Sequence, residues 1–300
     1  MPPADEPATP IESLAVVGGG FMGAGIAETA AVAGFPVVIR ELPEYLDATR
    51  QRLEASLDRR VERGKLDAAD RDSALARITL TSDLEDAAGA DLVIEAVPEK
   101  VELKTSIMKT LGGIVGDQAV IASNTSSIPI AELASAVHNP DRVVGLHFFS
   151  PAPVMGVVEI VRALDTSDET VKKAHAFVER LDKRAIETKD RSGFIVNFLL
   201  IPYLMAAVRM YEEDFASRED IDEGMTRGAG HPMGPLRLCD FIGIDVLHAV
   251  CNSLYEEFKR DEYAPPPLMK RMIAAGRLGR KSGRGFYDYT AKVEGVPDTS

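Results

Sequence analysis

The stretch GLHFFSPAPVMGVVEIV, residues 145–161, carries a histidine and a glutamate inside otherwise apolar, strand-like runs. His147 and Glu159 occupy positions where a strand favours Val, Ile or Phe. Pro151 and Pro153 lie between them, cannot serve an interior ladder and read as a turn. If the two runs fold back antiparallel about residue 153, then 147 lies opposite 159, each six positions from the pivot. Directly opposed side chains have Cβ atoms roughly 4.5–5.5 Å apart. A carboxylate at that distance fixes the imidazole tautomer and raises its basicity, leaving the other ring nitrogen to exchange a proton with a substrate. That is the acid–base equipment for oxidising an alcohol while hydride leaves its carbon. A purely structural His–Glu pair is the alternative. Ser126, in ASNTSSIP at the end of an expected parallel strand, and Asn197 are candidate donors to the reacting oxygen.

A second constellation is GGGFMG, with Gly18, Gly20 and Gly23 in the G-x-G-x-x-G spacing. It follows the apolar run LAVV and opens the small-residue stretch FMGAGIAETAAVAG. In such a loop the first glycine makes the tight turn, the second lets backbone approach a pyrophosphate, and the third lets helix and strand pack closely. Free N–H groups at the helix start then hold the phosphates. Glu41 ends the next strand 23 positions after Gly18, where a carboxylate accepts ribose hydroxyls and repels a 2′-phosphate. The expected cofactor is therefore NAD, with NADP left open by the neighbouring Arg40.

These residues need elements to hold them. Apolar, β-branched runs at 14–20, 36–41, 78–81, 91–97, 119–123, 142–149 and 185–189 read as buried strands, alternating with helical stretches at 21–34, 43–76, 100–114, 129–137 and 168–182. That alternation gives an α/β, Rossmann-type doubly wound sheet over residues 13–191. After DRSG the texture changes to helical spacing only, so residues 192–300 form a helical C-terminal domain. Its first helix, FIVNFLLIPYLMAAVRMYEED, is apolar on more than one face and calls for a packing partner, either intrachain or a second copy in a homodimer. Residues 1–12 read as a flexible tail with no signal-peptide pattern.

Composition bounds the function. The 300 residues are 45% hydrophobic with a formal net charge of −13, which argues against a general nucleic-acid or anionic-membrane binder. No apolar run reaches membrane-spanning length. Cys239 and Cys251 have no metal or CxxC spacing and read as a buried, reduced pair in a cytoplasmic protein; no metal is expected.

The motifs VVGGGFMGAGIAETAAVAGF, DLVIEAVPEKVELK, SNTSSIPI, GLHFFSPAPVMGVVEI, DRSGFIVNFLLIPYLMAA, GHPMGPLRLCDFIGID and GRKSGRGFYDY, in this order over about residues 13–289, resemble the L-3-hydroxyacyl-CoA dehydrogenase family. The resemblance implies NAD-dependent oxidation of an (S)-3-hydroxyacyl thioester by a Rossmann-type domain joined to a helical dimerisation domain. It puts the catalytic pair on His147 and Glu159, the substrate-oxygen contacts on Ser126 and Asn197, nicotinamide-side contacts on Glu99 and Lys104, and the ribose carboxylate on Glu41. With Gly18, Gly20, Phe21, Met22, Gly23 and Asn124 these complete the expected cofactor contacts. Ser56 and Arg63 fall on CoA-contact positions, with Lys65 close by in the basic stretch SLDRRVERGKL; a solvated helix whose arginines pair with Asp58 and Glu62 is the other reading.

Three positions depart from the family's usual pattern: Ser150 replaces an asparagine, Gly156 a lysine, and Phe198 a basic residue. They leave the dyad intact and bear on the substrate and its carrier. The first reading is a short-chain 3-hydroxyacyl-CoA dehydrogenase. The second is the same chemistry on an acyl-carrier-protein-bound 3-hydroxyacyl group. A free hydroxy-acid dehydrogenase and a non-catalytic dinucleotide-binding protein rank below them.

Overall fold

The computed structural model describes residues 10–290 and divides into two compact units, Met1–Phe194 and Ile195–Ser300. The first unit runs β1 (Leu14–Val17), α1 (Phe21–Val32), β2 (Val37–Arg40), α2 (Leu46–Glu62), α3 (Ala68–Ala76), β3 (Ile78–Thr81), β4 (Leu92–Glu95), α4 (Val101–Ile114), β5 (Val120–Ser123), α5 (Ile130–Ala134), β6 (Val143–Phe148), β7 (Val157–Arg162), α6 (Asp168–Arg180) and β8 (Arg184–Lys189). Its eight strands form one sheet in the order β3-β2-β1-β4-β5-β6-β7-β8. Every pair is parallel except β6 with β7.

Helices cover both faces, which is why the central strands are apolar at successive positions rather than at alternate ones. Leu14 and Val16 join one core with Ile26, Leu53, Leu57 and Phe177 from α1, α2 and α6. Ala15 and Val17 join the other with Met108, Leu111 and Leu133 from α4 and α5. The strands are shorter at their carboxyl ends than the apolar runs suggest, because the glycines after Val17, and Ala96 and Val97 before Pro98, leave the ladder to build loops. Strand order reverses between β1 and β4, and ligands of open α/β sheets bind outside the carboxyl ends at that switch point.

Two sequence expectations change. The flexible segment assigned to residues 1–12 lies outside the described residues up to residue 9, but its last part is ordered. Ile11 is buried in the core and the Glu12 N–H donates to Asp91 Oδ2 at 2.9 Å, since an apolar side chain here extends the sheet's packing. The charged stretch 43–76 is two helices, α2 and α3, separated at Gly64, whose φ of +62° breaks the helix.

The second unit is helical: α7 (Val196–Glu212), α8 (Arg218–Glu223), α9 (Pro235–Ile242), α10 (Ile244–Phe258) and α11 (Pro267–Ala274). Ile201, Leu204, Met205 and Val208 of α7 enter a core with Leu236, Leu247, Leu254 and Met269, so one face of that apolar helix is covered within the chain. Leu199 on the same helix is 66% exposed. Two buried aspartates hold this unit together. Asp222 accepts the Leu236 N–H and the Tyr287 hydroxyl, and Asp240 accepts the Phe286 and Tyr287 N–H groups and the Tyr289 hydroxyl. A Cβ on Gly234 would stand 2.3 Å from the Asp222 side chain, and one on Gly285 1.9 Å from Asp240 Oδ1. The GHPMGP and GRGFYDY motifs are thus explained by packing around two carboxylates. Cys239 and Cys251 are buried and free.

Candidate active site

The glycine loop has the shape its spacing calls for. Gly18 has φ +103°, and a Cβ there would meet the Ala96 carbonyl oxygen at 2.7 Å. A Cβ on Gly23 would lie 1.8 Å from the Gly18 carbonyl oxygen, so only glycine lets α1 start this close to β1. Gly20 differs: a Cβ there would meet no protein atom within 4 Å. It is the N-cap of α1 and offers no side chain to the first N–H groups, so the helix start faces open space with its donors available. Such an open helix start suits a phosphate group. Glu41 stands at its rim, accepting the Gly19 N–H at 2.8 Å and the Leu42 N–H at 2.7 Å. The Gly19 carbonyl accepts from Thr49 and Arg52 of α2, which sequence reasoning missed because nothing local marks a helix residue as a loop anchor. Phe21 is 61% exposed beside the loop, while Met22 packs onto the core. Arg40 is half-buried with its Nε lacking a hydrogen-bond partner. The donors, the bare Gly20 and the carboxylate together fit NAD.

His147 and Glu159 are register partners across β6 and β7. His147 Nδ1 lies 2.6 Å from Glu159 Oε2, and both residues are buried. A carboxylate accepts, so Nδ1 is the nitrogen that donates to it, and in the neutral ring that tautomer leaves Nε2 as the acceptor. Phe149 and Phe194 pack on the imidazole with ring centroids at 4.6 and 5.3 Å. They meet the ring at interplanar angles of 61° and 58°. Asn124 Oδ1 accepts the Phe148 N–H at 2.9 Å, tying the loop after β5 to the strand that bears His147.

That loop is organised by buried charge. Glu95, the last residue of β4, accepts Lys104 Nζ at 2.8 and 3.0 Å, the Ser123 hydroxyl at 2.6 Å and the Val97 N–H at 2.6 Å. Lys104 Nζ also lies 3.3 Å from Glu99 Oε2. Glu99 Oε1 accepts the Thr125 hydroxyl, the N–H groups of Ser126 and Ser127 and the Ser127 hydroxyl. Burial alone pushes the Glu99 carboxyl up, but Lys104 and these donors outweigh it and hold the group below the usual glutamate range. Ser126 is held by its backbone, which leaves its hydroxyl for a ligand. Lys104, expected at the cofactor's edge, is buried between the two glutamates. Glu95 went unnoticed in the sequence because a glutamate closing a strand has no motif of its own.

The remaining expected residues are spread more widely. Asn197 stands half-buried in the first turn of α7, in the second unit. Ser56 is half-buried on α2, and Arg63 and Lys65 are exposed where that helix ends. Arg71 of α3 pairs with Asp58 at 3.0 Å. Ser150 is exposed before a cis peptide bond to Pro151, and Gly156 is exposed with open space where a Cβ would point. Phe198 packs edge-on against Phe258, ring centroids 5.5 Å apart. His231, unassigned by sequence, lies 3.1 Å from the Tyr203 hydroxyl.

A doubly wound sheet with a glycine loop and a carboxylate at its switch point is the architecture of dinucleotide-binding oxidoreductases. Residues 13–191 match the NAD binding domain of 3-hydroxyacyl-CoA dehydrogenase, and residues 193–289 match that enzyme's C-terminal domain. The chain belongs to the 3-hydroxyacyl-CoA dehydrogenase family, and its cofactor is NAD. It is 49% identical to a 3-hydroxybutyryl-CoA dehydrogenase of Mycobacterium tuberculosis over 282 residues, covering 93% of this chain and 99% of that one. The crystal structure of M. tuberculosis FadB2 superposes with a TM-score of 0.93 at 48% identity, covering 94% of this chain and all of the other. An (S)-3-hydroxybutyryl-CoA dehydrogenase from Ralstonia eutropha gives a TM-score of 0.88 at 45% identity, with coverage of 94% and 100%.

Proposed function

We propose that this enzyme interconverts a short-chain (S)-3-hydroxyacyl-CoA and its 3-oxoacyl thioester. The observation that carries this reading is the buried His147–Glu159 contact of 2.6 Å beside a serine-rich loop at the sheet's carboxyl edge. His147 Nε2 takes the proton of the substrate's 3-hydroxyl, and Glu159 holds the ring in the tautomer that can do so and stabilises the imidazolium that results. Bound NAD supplies the acceptor for the hydride leaving C3. The Ser126 hydroxyl donates to the oxygen as it becomes a carbonyl. Arg63 and Lys65 meet the phosphates of CoA from the end of α2, with Ser56 beside them.

The test is NADH consumption with acetoacetyl-CoA, comparing wild type with His147→Ala. Turnover in wild type that collapses in the variant, with NADH binding intact, is the expected result. A variant that retains wild-type turnover removes His147 from the mechanism.

A second reading keeps the chemistry and changes the carrier to an acyl carrier protein. It is supported by Ser150, Gly156 and Phe198, where polar groups of the family's usual motifs are missing. Turnover of a carrier-protein thioester with negligible turnover of acetoacetyl-CoA would establish it. Homodimerisation through the helical unit is supported by the exposed apolar side chains Leu199, Phe241 and Val246, and sedimentation velocity measures it. Two free, buried thiols agree with a reducing, cytoplasmic setting.

A further inference from the structure

The cluster beneath the loop after β5 holds two carboxylates and one ammonium. Glu95 is fully buried and Lys104 is 1% exposed. Every group given to Glu95 is a donor: Lys104 Nζ, the Ser123 hydroxyl and the Val97 N–H. The same holds for Glu99, which receives Lys104, Thr125, Ser126 and Ser127. Carboxylates surrounded only by donors are ionised, so two negative charges face one positive charge and the island has a net charge of −1. A lone Lys–Glu pair would be neutral; the second glutamate is the surplus.

The island's place in the fold gives that surplus a target. Glu95 is register partner to Val17, which leads into the glycine loop, and to Ser123, which leads into the Asn124–Ser127 loop. Asn124 in turn bonds the Phe148 N–H, next to His147. Hydride transfer requires the nicotinamide to lie within contact of the carbon whose hydroxyl faces His147. A dinucleotide held at Gly20 with its nicotinamide beside His147 would pass the carboxyl ends of β1, β4 and β5, which bear the island. The oxidised nicotinamide carries a positive charge and the reduced one does not.

We propose that Glu95 is a positioning and charge-setting residue: through Lys104 and Ser123 it holds Glu99 in place and gives the island the net negative charge that makes the site prefer oxidised over reduced cofactor. The inference rests on the dehydrogenase reading above. A unit charge acting across about 10 Å, at an effective dielectric constant between roughly 20 and 40, changes an affinity by about four- to fifteenfold. Glu95 and Lys104 are buried but Glu99 stands at the exposed edge, so salt screens the surplus charge in part and the effect is largest at low ionic strength.

The experiment is a fluorescence titration of the full-length protein with NADH, and displacement of NADH by NAD⁺, for wild type, Glu95→Gln and Glu99→Gln. Both substitutions make the island neutral, and Glu99 lies at its more exposed edge, so its variant remains informative if the buried one fails to fold. The expected result is that the ratio of the NAD⁺ to the NADH dissociation constant rises at least about fourfold in each folded variant at low salt. Equal weakening of both ligands, or an unchanged ratio, overturns the proposal and leaves a merely structural pair. A wild type that binds neither dinucleotide overturns the underlying reading as well, and is distinguishable because no variant is needed to see it.

Discussion

His147 and Glu159 meet at 2.6 Å because β6 and β7 are, among the described strands, the only antiparallel neighbours in an otherwise parallel sheet. A parallel partner would need a long crossover. The short turn through Pro151 and Pro153 instead brings the two side chains directly opposite each other, inside the protein.

Glu159→Gln keeps the shape of this contact but leaves the imidazolium without its carboxylate. We expect kcat with acetoacetyl-CoA to fall about 10²- to 10⁴-fold with little change in NADH affinity. Steady-state kinetics and a binding titration on the same preparation check both halves.

The glycines of the loop separate into two kinds. Gly23→Ala forces a Cβ onto the Gly18 carbonyl oxygen and should lower the thermal midpoint or prevent folding. Gly20→Ala has room in the folded chain, so its thermal midpoint should stay near wild type while NADH affinity drops by about tenfold or more. Calorimetry with a binding titration resolves the pair; Gly20→Ala binding like wild type would move the pyrophosphate elsewhere.

Acid should weaken the first unit through Glu99. Its carboxyl titrates below the ordinary glutamate range because Lys104 and the Thr125–Ser127 donors overcome burial. A lowered folded-state value means that the stabilisation is present above the unfolded value and is lost as pH falls through the folded one. Denaturant unfolding followed from pH 7 down to about pH 3 should show wild type losing more stability below the ordinary glutamate range than Glu99→Gln does. Identical pH slopes would contradict the assignment.

Asp240→Ala leaves two backbone N–H groups and the Tyr289 hydroxyl without their acceptor in the second unit. The expected destabilisation is about 3–5 kcal/mol, read from urea unfolding, with the first unit's dinucleotide affinity little changed.

The carrier is tested at the end of α2. Replacing Arg63 and Lys65 together by Ala should raise KM for acetoacetyl-CoA several-fold and leave KM for the N-acetylcysteamine thioester, which has no phosphate, unchanged. Equal effects on both substrates would argue that these cations do not meet CoA.

Local pattern alone determined much of this protein. Alternating apolar runs and helical stretches gave the α/β unit and the helical one, and the glycine spacing with Glu41 gave the cofactor. The two prolines set the pivot from which the 147–159 pairing follows, because a hairpin's register depends only on positions near its turn. What the tertiary structure decided is long-range. Strand order, and with it the switch point, depends on which strands pair across crossovers of tens of residues. The Glu95–Lys104–Glu99 island joins the end of a strand to a helix and to a loop some 28 positions away, and a single buried charge has no periodicity to announce it. Asp222 and Asp240 gather segments up to 65 positions apart and turn motif glycines into packing requirements. Sequence shows where a residue type is out of place; only packing shows what it has been placed against, because burial and partnership arise from contacts between segments that the chain itself does not order.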